Sequence, residues 1–156
     1  MKEVKPPFIL DEKRGTIQLK SARSLTLNFT VPVHRTIKFW EGLREGKLLT
    51  TKCKRCDKIW FPPKMDCPDC LISDMDWIEL SGEAQLESFT VISIKPSSFS
   101  QYPDYICAVG KLKEGVKALA WLTGIKKEEI KIGMSLKLKP KVIEEGKLTY
   151  EFISEE

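Results

Sequence analysis

Four of the five cysteines in this 156-residue chain fall in two tight pairs, Cys53-Lys54-Arg55-Cys56 and Cys67-Pro68-Asp69-Cys70, with ten residues between them. Two intervening residues let one short turn aim both sulfurs of a pair at a single point. A second such turn, returning antiparallel, completes a tetrahedron of the kind that holds a metal ion at about 2.3 Å from each sulfur. Between the pairs, Ile59-Trp60-Phe61 suits a short strand, and Pro62-Pro63 stops it and turns the chain back. A redox dithiol would come as a single pair beside a βαβ pattern, which is absent. Two disulfides would suit a secreted chain, whereas the charged start followed by Pro6-Pro7 does not read as a secretory signal. The expectation is therefore a four-thiolate site of Cys53, Cys56, Cys67 and Cys70 in a reducing, cytoplasmic compartment. Thiolates of this number suit zinc best, with iron as the alternative. Because the protein fills all four positions, such a site is structural and leaves no place for substrate.

Charge bears on the choice of partner. The sequence carries 26 Lys and Arg against 22 Asp and Glu, a net charge of +4. The excess lies in residues 1–50, with ten basic residues against five acidic. Residues 51–80 hold five against six, and residues 81–156 hold eleven against eleven. A balanced C-terminal half lacks the basic footprint of an autonomous nucleic-acid binder. No apolar run approaches the roughly 20 residues that span a bilayer.

The chain divides into three parts. Residues 1–46 read as an N-terminal arm ending in a short helix. Within the arm, residues 24–31 alternate in the manner of a strand. Thr36 to Gly46 reads as the helix, with Thr36 as cap, Ile37, Trp40 and Leu43 on one face, and Gly46 as stop. Residues 47–80 form the metal module, with strands at Leu48–Lys52 and Asp76–Leu80. Residues 81–156 are all β, with strands expected near 84–94, 105–112, 116–122, 135–142 and 147–153. Glu114-Gly115 and Glu145-Gly146 supply hairpin turns, and a helical turn is expected at residues 126–130. Five strands with a short helix between the third and fourth is the layout of an OB-fold barrel, so the protein as a whole is mainly β.

Beyond the cysteines, the chemistry is sparse. His34 is the single histidine and lies beside Pro32. Cys107 sits in an apolar strand, where an inert thiol is the ordinary outcome. Trp121 and Leu122 read as core. No nucleophile elbow, phosphate loop or dinucleotide fingerprint is present. The expectation is a non-enzyme.

The order of motifs resembles a known family of two-domain proteins, a rubredoxin-like zinc ribbon followed by an OB-fold, long filed under a domain of unknown function. The resemblance runs from about residue 36 to 143. It rests on Phe39-Trp40-Glu41-Gly42-Leu43, Cys53-x-x-Cys56, Phe61-Pro62-Pro63, Cys67-Pro68-x-Cys70, Trp77-Ile78-Glu79-Leu80-Ser81-Gly82, Phe89-Thr90-Val91 and Ile132-Gly133-Met134. It implies a scaffold subunit beside acyl-CoA chemistry, partnering a thiolase-superfamily enzyme. In archaeal relatives it implies a bridge between acetoacetyl-CoA thiolase and HMG-CoA synthase at the head of the mevalonate pathway, helping to hold coenzyme A. A nucleic-acid-binding zinc-ribbon/OB-fold protein is the alternative. For coenzyme A the candidates are Lys95, Phe99, Tyr102 and Tyr105 in the loop joining the first two barrel strands, with Lys113. For a partner enzyme the candidates are Phe39 and Trp40. The sequence departs from the family pattern after each second cysteine, where relatives usually carry Gly and Asp57 and Leu71 stand here. A left-handed turn there suits Asp and strains Leu.

Overall fold

The computed structural model describes residues 8–19, 32–143 and 147–155. The strand expected at residues 24–31 and the turn at Glu145-Gly146 lie outside them. The protein separates into two compact units, Met1–Pro32 and Val33–Glu156. In the first, strands β1 (Phe8–Asp11) and β2 (Thr16–Leu19) form an antiparallel hairpin that the sequence reading did not foresee. Among the described residues, no helix is long and apolar enough to cross a membrane.

The second unit opens with a 3-10 turn at His34–Thr36 that runs into α1 (Ile37–Arg44). The Thr36 side chain does not cap the helix; its hydroxyl donates back to the Val33 carbonyl. The helix stops as expected at Gly46, whose φ of 79° is open to glycine without strain. Lys47 N–H donates to the Gly42 carbonyl and Gly46 N–H to Leu43, so two otherwise orphaned carbonyls are satisfied. The buried face is Phe39, Gly42 and Leu43, one residue out of phase with the expected one, and Ile37 is exposed.

The metal module is a three-stranded sheet of order β4-β3-β5, with β3 Leu49–Cys53, β4 Ile59–Trp60 and β5 Met75–Glu79. Thr50 and Thr51 are fully buried yet satisfied. The Thr51 hydroxyl donates to the Lys64 carbonyl at 2.7 Å and accepts from Lys64 N–H at 2.9 Å, while Thr50 donates to the Trp60 carbonyl. These bonds hold the return leg after Pro62-Pro63 against β3, a buried polar arrangement tolerated because both partners are met.

Strands β6 (Glu83–Ile92), β7 (Tyr105–Leu112), β8 (Lys117–Thr123), β9 (Ser135–Val142) and β10 (Leu148–Ser154) close into a barrel of order β10-β8-β7-β6-β9. The closing pair β8–β10 is parallel and the rest are antiparallel, and a 3-10 turn at Lys127–Glu129 joins β8 to β9. That is the OB-fold. A bulge between Leu86 and Ser88 shifts the phase of β6, so Ala84 and Leu86 face inward before it and Phe89 and Val91 after it. Phe152, Leu136, Leu138, Leu112 and Leu86 form the barrel core, each contributing about 1.5–3 kcal/mol by burial. Gly110 is required there, since a Cβ would lie 2.5 Å from the Phe152 ring.

Helix, ribbon and barrel meet at one aromatic junction. Phe39 of α1 lies edge-on to Phe61 of the ribbon at 6.0 Å and to Tyr150 of β10 at 6.2 Å, and Phe61 lies 5.1 Å from Tyr150. Contacts of this geometry add about 0.5–1.5 kcal/mol per pair beyond area burial. Phe39 is thus the buried keystone between modules and presents no surface to a partner. Trp40 packs against it at 5.1 Å and stays half-buried.

Candidate metal centre and aromatic barrel face

The two cysteine turns have the same backbone geometry. In the first, Asp57 N–H donates to the Cys53 carbonyl and Cys53 N–H to Lys58, both at 2.9 Å. In the second, Leu71 N–H donates to the Cys67 carbonyl at 2.9 Å and Cys67 N–H to Ile72 at 2.8 Å. Each turn closes on a left-handed residue, Asp57 at φ 58° and Leu71 at φ 55°. The second turn therefore keeps its geometry despite Leu71, and the strain stays in the backbone.

All four sulfurs lie within 4.8 Å of one another, with Cys56 and Cys67 at 3.8 Å. A tetrahedron of bonds of about 2.3 Å has edges of about 3.8 Å, so the cluster fits a tetrahedral ion. Cys53 and Cys67 are buried, Cys70 is half-buried and Cys56 is exposed. Burial opposes the Cys67 thiolate, yet the N–H groups of Cys70 and Asp69 and the neighbouring thiols outweigh it and bring the thiol down to about 7. Cys70 is pushed up to about 12, chiefly by the adjacent Cys56 sulfur and by burial. Four sulfurs this close cannot all ionise alone; a divalent cation supplies the charge that permits it. Lys58 pairs with Asp69 across the two turns, and Lys54 pairs with Asp74 at 2.8 Å. Arg35 holds Asp66 with a two-pronged bond of 2.8 and 3.0 Å, tying the start of α1 to the ribbon.

The second candidate site lies on the barrel. The loop between β6 and β7 brings Phe99 and Tyr102 onto the outward ends of β7 and β8. Phe99 lies 5.5 Å from Tyr102, 6.0 Å from Tyr105 and 6.3 Å from Trp121, and Tyr105 stacks on Trp121 at 4.4 Å. Trp121 is therefore not core. Ala118, Ala120 and Leu122 point inward, and strict alternation turns Trp121 outward. Across a cavity of about 570 Å³, Gln101 and Tyr102 face Lys141, Val142, Ile143 and Lys147 of the β9–β10 hairpin. These two loops flank the usual ligand face of OB barrels. Trp121, Lys141 and Lys147 were missed in the sequence.

The structure brings Phe99, Tyr102 and Tyr105 together but not the two lysines expected with them. Lys95 braces its own loop, donating to the Tyr102 carbonyl at 2.8 Å and to Asp104 at 3.1 Å. Lys113 lies just past the far end of β7, about 26 Å along the strand direction from Tyr105, and pairs with Glu83 at 2.9 Å. Lys141 pairs at 2.7 Å with Glu151, a buried carboxylate that also accepts from the Thr123 hydroxyl. Cys107 lies beside Trp121 across the ladder, and burial pushes its thiol up, away from nucleophilic character. His34 is exposed in the turn before α1.

A closed thiolate ribbon joined to a five-stranded OB barrel defines a two-module zinc-ribbon/OB-fold protein. Two family profiles match in tandem: the rubredoxin-like zinc ribbon domain of ChsH2 at residues 40–76 and the C-terminal OB-fold domain of ChsH2 at residues 77–139. A DUF35 domain-containing scaffold protein of Pyrococcus furiosus is 32% identical over 109 residues, covering 69% of this chain and 79% of that one. A probable enoyl-CoA hydratase alpha subunit of Thermomonospora curvata is 32% identical over 107 residues, but these span 68% of this chain and only 33% of that protein. Among solved structures, the Ltp2-ChsH2(DUF35) aldolase matches with a TM-score of 0.68 and 27% identity, over 80% of this chain and 98% of that one. The chain belongs to the DUF35 family.

Proposed function

We propose that this protein is a non-catalytic scaffold subunit of a cytoplasmic acyl-CoA enzyme complex. It docks on a thiolase-superfamily enzyme, with an HMG-CoA synthase as the second enzyme of the assembly, and lends an aromatic face to the binding of coenzyme A. The carrying observation is the outward cluster of Phe99, Tyr102, Tyr105 and Trp121 beside the cavity lined by Lys141 and Lys147. Aromatic rings suit an adenine, the exposed Val142 and Ile143 suit an apolar pantetheine arm, and lysines suit phosphates. The names of the relatives support a partnered role: scaffold proteins recur among them, one relative is named a probable enoyl-CoA hydratase alpha subunit, and the matching solved structure is an Ltp2-ChsH2(DUF35) aldolase. In the metal module the ion would be zinc, held by Cys53, Cys56, Cys67 and Cys70. It would supply a rigid cross-link and no chemistry, since every ligand position is taken.

Calorimetric titration with coenzyme A, of the isolated protein and of its mixture with the thiolase, tests the reading. Replacing Trp121 by Ala should weaken binding roughly tenfold, the scale of one lost base–aromatic stack. Absence of coenzyme A binding in both preparations would refute the ligand, and failure to co-purify with the enzyme would refute the scaffold role. Single-stranded nucleic acid is the competing occupant, favoured by Lys137, Lys139 and Lys141 at alternate positions of β9. Retention of RNA that falls steeply with salt would assign the face to it instead.

A further inference from the structure

Each cysteine turn places its first cysteine inside and its second outside. Cys53 and Cys67 are buried, at 0% and 1% exposure, whereas Cys56 is exposed and Cys70 half-buried. The same backbone bonds close both turns, so this is one arrangement used twice. The four-thiolate cluster therefore has an inner pair and an outer pair. Cys56 and Cys70 form the outer pair, one from each turn, with their sulfurs within 4.8 Å of each other.

A metal-bound cysteine is a thiolate, and the thiolate is the form that oxidants attack. Among thiolates, access decides which reacts first. Cys56 has both properties. Cys107, outside the cluster and half-buried, keeps its proton and has neither in full. The turns also have little besides the sulfurs to hold them. The apolar cluster around the cysteines has Cys53, Cys67 and Met75 as its buried residues, while Leu48 and Leu80 at the base of the ribbon belong to the barrel core. Loss of two sulfur ligands would therefore loosen the turns and leave the ribbon base and the barrel in place.

We propose that Cys56 and Cys70 form a redox switch, which a peroxide throws to release the ion and loosen the two turns. The Cys56 thiolate attacks one oxygen of hydrogen peroxide. An S–O bond forms, the O–O bond breaks, and the departing hydroxide takes a proton from solvent to become water. The Cys70 thiolate then attacks the sulfenic sulfur of Cys56. The S–S bond forms, the S–O bond breaks, and a second hydroxide leaves and is protonated to water. Two thiolates, one peroxide and two protons thus give one disulfide and two waters. Cys53 and Cys67 remain, too few to hold the ion. The switch rests on the four-thiolate metal site and is independent of the scaffold role.

The test is a titration of the zinc-loaded, full-length protein with hydrogen peroxide. A chelating dye reads the zinc released, and peptide mapping after alkylation reads each thiol. One zinc should be released for each peroxide consumed, with a disulfide between Cys56 and Cys70. Dimedone added during the reaction should trap the sulfenic acid at Cys56. Cys107 should stay reduced, and Cys107→Ser should leave the release unchanged. A dithiol reductant with added zinc should restore the ion and the amide protection at Asp57 and Leu71. Zinc retained under excess peroxide, oxidation of Cys107 ahead of Cys56, or a disulfide between the buried Cys53 and Cys67 would overturn the switch. A protein that takes up no zinc would overturn the metal assignment and the switch with it.

Discussion

Leu71 carries a cost that can be measured. It holds φ 55° while 86% exposed, so its side chain adds little burial to offset the backbone strain. A left-handed non-glycine residue costs about 1–2 kcal/mol, and glycine gives back about 0.5–1 kcal/mol of that through its freer unfolded chain. Leu71→Gly should therefore stabilise the metal-loaded protein by about 0.5–1 kcal/mol, which for a unit of this size raises the melting temperature by about 2–4 °C. Leu71→Ala is the control, since it removes the same exposed side chain but retains Cβ and the strain. Thermal melts of the three proteins with saturating zinc separate the contributions. A Gly variant no more stable than the Ala variant would refute the account, because it would mean the left-handed turn is not strained in this setting. Asp57→Gly should gain less, because Asp tolerates the left-handed region and pairs with Lys52 at 2.7 Å.

Two further outcomes follow from the ribbon and the aromatic junction. Cys67→Ser or chelation should remove the metal and abolish amide protection at Cys53, Asp57, Cys67 and Leu71, while Ala108 and Leu122 in the barrel stay protected. The cluster around the cysteines has Cys53, Cys67 and Met75 as its buried apolar residues, whereas the barrel has a larger core of its own that Leu48 and Leu80 join; hydrogen exchange with metal analysis reads both. Burial raises the Tyr150 phenol above its ordinary value, so the neutral ring is favoured in the fold. That stability is full below about pH 10 and is lost as pH rises through the folded value, so urea midpoints should fall less above pH 10 in Tyr150→Phe than in the parent.

The metal site and the barrel were legible because each writes a local pattern. The C-x-x-C pairs declare four sulfurs at one point, and the alternating strands from Glu83 to Ser154 carry their turns with them. What escaped depended on phase and register. Trp121 looks like core because it follows Ala118 and Ala120 in an apolar run, and only counting by two from Leu122 turns it outward. On α1 the helical period admits either Ile37 or Phe39 as the buried residue. The choice is made by Phe61 and Tyr150, which lie 22 and 111 residues further along. Lys113 and Lys95 were chosen by sequence neighbourhood, which cannot show that one lies a full strand away and the other is spent on Asp104.

The ion pairs of the barrel face bear on how it would hold an anion. Lys95 is committed to Asp104, and Lys141 to the buried Glu151. A phosphate recruiting Lys141 would leave Glu151 with only Thr123, and stranding a buried charge is costly. With Lys141 so committed, the isolated protein offers coenzyme A a stacking surface more than a phosphate clamp, and the partner enzyme adds cations. On this argument coenzyme A binds the isolated protein weakly and the complex far more tightly. Adenosine and pantetheine should lose less than coenzyme A when the partner is left out. Glu151→Gln, which frees Lys141, should narrow the gap for coenzyme A and leave adenosine unchanged. Equal affinity of isolated protein and complex for coenzyme A would place the phosphate contacts within this chain and refute the shared-site reasoning.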